Sequence, residues 1–217
     1  HRNQVLIRLV VLAFFVHLGL GMWFVERGLL NADEGWYLYA ARQIALGWEP
    51  YQDFGLFQPP VYPTVLSGTV DAGPGALLAG RWLSWFLLAV GTGATVLAAA
   101  RLSGVGGALI AAVGLGLHPV VVNHGVLAKP YGFTVFLLGA GLLLVSSAQH
   151  RTLRVGVGFF LMALACGTRL SLIAPTVILA CFQPARWVAF VGFLIGLILA
   201  FHGAIGVDPS ALFDQWV

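Results

Sequence analysis

The sequence predicts an all-α fold: a polytopic membrane helix bundle of about seven transmembrane helices. It forms a single transmembrane domain over residues 1–217, with a long first loop at 25–75 that carries an interfacial helix. Three observations predict this. Hydrophobic residues make up 59% of the chain and charged ones only 9%. Soluble domains carry about 25% charged residues, so lipid must face most of this surface. Apolar runs near spanning length recur along the chain, and the few charges collect between them.

A spanning helix needs roughly 20 mostly apolar residues. Runs of this kind fall at 4–24, 76–100, 104–122, 131–147, 155–166, 170–182 and 187–205. The fifth and sixth are short and read either as two spans or as one broken unit around Gly167-Thr168-Arg169. Pro119, Pro130, Pro175 and Pro184 mark ends or kinks. The first run is long enough to span and lacks a small-residue cleavage site, so it is not a cleavable signal peptide. In the loop that follows, Asn31 or Asp33 can cap a helix whose first turn carries acids, suiting the positive end of the dipole. This helix is expected to run to about Leu46 and to stop at Gly47 and Pro50. Trp36, Tyr37, Tyr39 and Ile44 suit a helix lying in the membrane interface. Gln58-Pro59-Pro60 is expected to fix an extended approach to the second span.

Placing the N-terminus in the cytoplasm puts Arg2, Arg8, Arg101, Arg151, Arg154 and Arg186 inside, and Arg27, Arg42, Arg81, Lys129 and Arg169 outside. The positive-inside bias is weak. The same alternation puts every acid outside: Glu26, Asp33, Glu34, Glu49, Asp53, Asp71, Asp208 and Asp214. Any acid chemistry therefore belongs to the extracytoplasmic face, and a bacterial cell (inner) membrane is the expected location. A net charge of +3 with no basic run argues against nucleic acid. Cys166 and Cys181 lie in apolar stretches and read as small core residues. The six histidines have no ligand spacing, so no metal site is expected. No cofactor is predicted, with a divalent metal left open. A chain that starts at His1 and has a polar, aromatic stretch at 208–217 is expected to be a piece of a longer protein.

Asp33 and Glu34, adjacent acids beyond the first span, are ordinary solvated loop residues when taken alone. Their surroundings form an ordered pattern. Asp33-Glu34-Gly35-Trp36-Tyr37 is followed by Ala41, Gly47, Tyr51-Gln52-Asp53 and Gln58-Pro59-Pro60-Val61-Tyr62. Ala79-Gly80-Arg81-Trp82-Leu83-Ser84 opens the second span, and His118-Pro119 and Leu127-Ala128-Lys129-Pro130-Tyr131 precede the fourth. In order and spacing this stretch, 29–147, resembles the membrane glycosyltransferases of the C superfamily, in particular the protein O-mannosyltransferase and aminoarabinose transferase branch.

The resemblance implies transfer of a sugar from a polyprenyl-phosphate carrier to an acceptor on the extracytoplasmic face. The partners would be that lipid donor, the bilayer and an acceptor of unstated kind. The family's first-loop base maps onto Asp33, with Glu34 beside it as a second catalytic acid. General-base help of this kind contributes about 10²–10⁴-fold. The leaving lipid phosphate is an anion, so cations should stabilise it. The candidates on that side are Lys129 first, then Arg81, Arg169 and Arg42, with Asp53 and Tyr37 as further substrate contacts.

Each has a plainer reading. Arg81 and Lys129 can snorkel from helix ends. Arg169 can pair with an acid to hold two short helices together. Asp53 can brace a turn. His124 reads as a loop histidine rather than a base. The sequence departs from the resembled pattern after Pro130: many relatives carry an acid there, whereas Tyr131 and Gly132 stand here. A second carboxylate, if needed, must come from Glu34 or Asp53. Two other classes compete. A transporter would hold charges near the bilayer midplane, and here they sit at the ends. A non-catalytic subunit that binds the lipid carrier would keep the fold without the chemistry.

Overall fold

The computed structural model describes residues 2–56, 58–147 and 152–202. Arg151, Asp208, Asp214 and the end of the seventh run lie outside the described residues. The described chain is helical, with no strand among the described residues. In order it forms α1 (Arg2–Arg27), α2 (Ala32–Ala45), α3 (Val61–Ser67), a 3₁₀ segment (Val70–Gly75), α4 (Ala76–Gly116), α5 (Pro119–Val126), α6 (Pro130–Ser146), α7 (Thr152–Thr168), a short 3₁₀ turn (Leu170–Leu172), α8 (Ile173–Cys181) and α9 (Arg186–Ala200).

By length and composition, two helices are able to cross a membrane, Asn3–Arg27 and Val70–Gly116. A third is added if α5 and α6, bent by 107° across residues 127–129, count as one broken span. The expectation of seven full spans is therefore corrected. Each apolar run is mostly helical within the described residues, but α7, the segment Leu170–Cys181 and the segment Arg186–Phe201 are 10–17 residues long, short of the roughly 20 that span directly. The extended Arg169 and the break at Pro184 divide these segments from one another. One long run hides two helices: Gly104 inside α4 has φ 69° and ψ −163°, a break that separates the second expected span from the third.

The interfacial helix begins and ends as its sequence dictates. Asn31 is the N-cap, accepting from the Asp33 amide at 3.0 Å, while Glu34 accepts from the Asn31 amide at 3.2 Å, completing a capping box. After the C-cap Leu46, Gly47 takes φ 86°, a conformation glycine adopts without strain. The proline segment is different from expectation. Pro60 has φ −74° and ψ −2° and serves as the N-cap of α3. Its fixed φ pre-organises a helix start in place of an extended approach.

The bundle is knit by α4 against α1 and α6, and by α7 against α6 and α9. Helix backbones meet at glycines. A Cβ on Gly139 of α6 would run into the Gly91 carbonyl of α4, and one on Gly192 of α9 into the Gly156 carbonyl of α7. Small residues allow this close approach in lipid, where contact area rather than water exclusion drives association. One core cluster draws Tyr37 and Ala41 of α2, Tyr62 and Leu66 of α3, Leu87 of α4, Phe133 and Leu137 of α6 and Ala165 of α7 together. It seats the loop helices on one end of the bundle.

Gly139→Leu should lower unfolding stability by about 1–3 kcal/mol through overpacking. Gly114→Leu, where a side chain meets open space, should change it little. Unfolding of the two variants in detergent checks this.

Candidate functional site

The centre of this end is a buried ion pair. Arg81, in the first turns of α4, donates from Nε to Glu34 Oε1 at 2.8 Å and from Nη2 to Oε2 at 2.7 Å. Glu34 is 1% exposed and Arg81 4%. No polar group on either carboxylate oxygen is left idle: Oε1 also accepts from the Ala128 amide at 2.9 Å, and Oε2 from the Asn31 amide. Arg81 also donates to the carbonyls of Gly28 at 3.0 Å and Leu29 at 2.9 Å. One pair thus ties the end of α1, the start of α2, α4 and the segment before α6.

Burial pushes the Glu34 carboxyl up, but the Arg81 guanidinium and the amides of Ala128 and Asn31 outweigh it and hold the group below the usual carboxylate range. The geometry gives Glu34 and Arg81 the role of a strut. Their hydrogen bonds go to each other and to backbone, an arrangement that differs from the expectation of Glu34 as a catalytic acid and Arg81 as a phosphate ligand.

The neighbours of that strut form a second, open cluster. Glu34 is preceded by Asp33, and Ala128 is followed by Lys129. Fixing Glu34 on Ala128 therefore brings Asp33 and Lys129 together, with Nζ 2.5 Å from Oδ2. The Lys129 side chain is 8% exposed, whereas that of Asp33 is 63% exposed. Asp33 Oδ1 accepts no hydrogen bond among the described residues.

Tyr131 lies under two cations. Lys129 Nζ stands 5.3 Å from its ring centroid and Arg169 Cζ 4.4 Å, a cation–π arrangement that holds the guanidinium in place. Arg169, in the extended turn after α7, forms no ion pair among the described residues, and its buried Nε has no hydrogen-bond partner there. The acid partner of its plainer reading is thus absent from the described residues. Thr134 of α6 and Thr168 of α7 share a hydrogen bond at 2.6 Å, clamping the helix ends that present Tyr131 and Arg169.

Tyr37 borders the cluster. Its hydroxyl donates to Gln58 Oε1 at 2.7 Å, and the Gln58 carbonyl accepts from Tyr51 at the same distance. Burial pushes the Tyr37 phenol up to about 12, with Arg169 pulling down and Tyr131 and Asp33 pushing up. The phenol therefore stays protonated and serves as a donor near neutral pH.

The remaining sequence candidates lie elsewhere. Arg42 is exposed in the last turn of α2 and joins no ion pair among the described residues. Asp53 is exposed and accepts from the Glu49 amide at 2.7 Å, the bracing role of its plainer reading. Sequence reasoning passed over Tyr131 and Gln58 as site residues. Tyr131 could have been found as the aromatic placed directly after Lys129-Pro130, where relatives of the resembled family hold an acid. Among the described residues, no group of three His, Cys, Asp or Glu stands close enough to hold a metal ion.

The fold and the site define an all-helical protein with helices able to span a membrane and a cation-rich, carboxylate-bearing cluster at one end of the bundle. The chain matches no protein-family model, no curated protein and no solved structure.

The strut carries a pH signature. A carboxyl held below its ordinary value contributes stability that is full above the unfolded value of about 4.3. That contribution is lost as pH falls through the lower folded value. Melting temperature should therefore drop as pH is lowered through the acid range, and Glu34→Gln should remove this part of the acid sensitivity while lowering stability at neutral pH. Thermal unfolding of both proteins across that range is the measurement.

Proposed function

We propose that the protein is a membrane glycosyltransferase that moves a sugar from a polyprenyl-phosphate carrier to an acceptor hydroxyl on the extracytoplasmic face. Arg169 is the single observation that carries this reading. A guanidinium with no acid partner among the described residues, stacked on Tyr131 beside Lys129, forms a place for an anion. An exposed carboxylate stands within a hydrogen bond of the same lysine. An anion cradle next to an accessible base is what transfer from a phosphate-linked donor requires.

In this reading Asp33 Oδ1 takes the proton of the acceptor hydroxyl. The freed oxygen bonds to the sugar's anomeric carbon as the bond from that carbon to the phosphate oxygen breaks. The polyprenyl phosphate leaves with the electron pair, and Lys129 and Arg169 balance its charge. Tyr37, which donates to Gln58, fixes the border of the cluster.

In this reading α1 and α4 cross the bilayer, and the loop helix α2 between them lies on the extracytoplasmic side. The strut end of the bundle then faces outward in the cell membrane. A second reading, a carrier-binding subunit without chemistry, draws on the Lys129–Asp33 pair itself, which also suits a carboxylate that merely positions a lysine.

Asp33→Asn separates the two. For the full-length protein given labelled polyprenyl-phosphate sugars, transfer should fall about 10²–10⁴-fold while carrier binding persists. Lys129→Ala and Arg169→Ala should weaken carrier binding. No transfer by the unaltered protein, with binding retained, would favour the subunit; neither transfer nor binding would refute both.

A further inference from the structure

A second feature at this end of the bundle lies apart from the Asp33 cluster. A cleft of about 540 Å³ opens between the end of α1 and α5. His124, which lines it, meets the Tyr131 ring edge-on at 6.0 Å, so these two rings form the partition between cleft and cluster. Trp23 and Arg27 of α1, Leu29 and Leu30 of the connecting segment, and Asn123 and His124 of α5 are the residues that decide its chemistry.

Arg27 is held over the Trp23 ring, 4.2 Å from Cζ to centroid, and forms no ion pair among the described residues. The neighbouring Glu26 does not line the cleft. The Asn123 amide makes no hydrogen bond among the described residues. His124 Nδ1 is engaged with the Val120 carbonyl at 2.9 Å, which fixes the ring against α5. One wall is rigid, because the Gly28 and Leu29 carbonyls are taken by Arg81. The lip is apolar and bare: Leu29 is 89% exposed and Leu30 81%.

Two leucines so placed would each forgo about 1.5–3 kcal/mol if they faced water. They follow directly on an apolar helix long enough to cross a bilayer, at the level where Trp and Arg side chains anchor in the interface. An unpaired guanidinium and an amide inside, with aliphatic side chains outside, match a charged headgroup joined to acyl chains. A free soluble anion would leave the lip without a partner. A choline headgroup would bring its own cation against the Trp23 face that Arg27 already covers.

We propose that this cleft binds the phosphodiester headgroup of an anionic membrane phospholipid. Arg27 and Asn123 donate to the phosphate, and the acyl chains run over Leu29, Leu30 and Trp23. The site is independent of the glycosyltransferase reading and is tested without any sugar donor.

The test uses the whole chain in nanodiscs of phosphatidylcholine containing a minor fraction of phosphatidylglycerol, followed by native mass spectrometry of the protein with its retained lipid. The unaltered protein and Arg8→Gln, which removes the same charge at the opposite end of α1, should retain phosphatidylglycerol equally. Arg27→Gln should retain roughly tenfold less, the loss expected for one charge-assisted hydrogen bond. The Leu29→Asn, Leu30→Asn double variant should also retain less, and millimolar inorganic phosphate should displace none. Equal retention by Arg27→Gln and Arg8→Gln would overturn the proposal. So would displacement by inorganic phosphate, which would make the cleft a soluble-anion site.

Discussion

Glu34 and Arg81 meet at the junction of four chain segments, almost closed to water, and everything at that end of the bundle is positioned from them. Removing two charges from water costs several kcal/mol per ion unless geometry and hydrogen bonds compensate. Here the compensation is thorough. Two parallel guanidinium–carboxylate bonds are joined by two backbone amides on the carboxylate and two backbone carbonyls on the guanidinium. Such a pair is weak evidence for net stability but strong evidence for register, because a shift of any one segment strands a buried charge. Asp33 and Lys129 each sit one residue from a group held on this carboxylate. Their meeting follows from the strut instead of from their own attraction, which solvent at the exposed Asp33 weakens.

The packing below explains how a chain with so few polar residues supports a polar end. Gly91 against Gly139 and Gly156 against Gly192 let backbones touch, so α4, α6, α7 and α9 meet with almost no side chain between them at those points. The ends of α6 and α7 are thereby held close enough for Thr134 and Thr168 to bond, and for Arg169 to reach across to Tyr131. Tyr62, fully buried in the same region, bonds Ser84 of α4 and packs against the Tyr37 ring. Loop helix, proline-capped α3 and bundle thus share one core beneath the cluster.

Much of this was legible beforehand. Composition and apolar runs were enough for an all-helical membrane-type chain, and Asn31 with Glu34 three residues on marked the start of α2 where it falls. Local signals of this kind survive because caps and turns are decided within a few residues. What was not legible was non-local. Glu34 and Arg81 are 47 residues apart, and no spacing rule pairs them, so their pairing is not legible in the sequence. Arg169, which the sequence offers as an anion ligand or as the partner of an acid, rests on an aromatic ring. Tyr131 carries no local signal beyond following Lys129-Pro130. The proline pair was read as extended because proline restrains its predecessor, yet it also suits a helix start. Hydropathy and the breaks marked after residue 100, around Gly167-Thr168-Arg169 and at Pro184 located the apolar runs, whereas how few residues of each later run form one helix depends on backbone geometry that composition does not encode.

The account stands on the Glu34–Arg81 pair acting as one unit. A double-mutant cycle reads this directly, comparing unfolding free energies in detergent of the unaltered protein, Glu34→Gln, Arg81→Gln and the double variant. Each single change should be costly, by about 3–5 kcal/mol, because it leaves a buried partner unpaired, and the double variant should be far more stable than the sum of the two losses implies. Losses that are small and simply additive would show that the two side chains do not depend on each other, and would contradict the account.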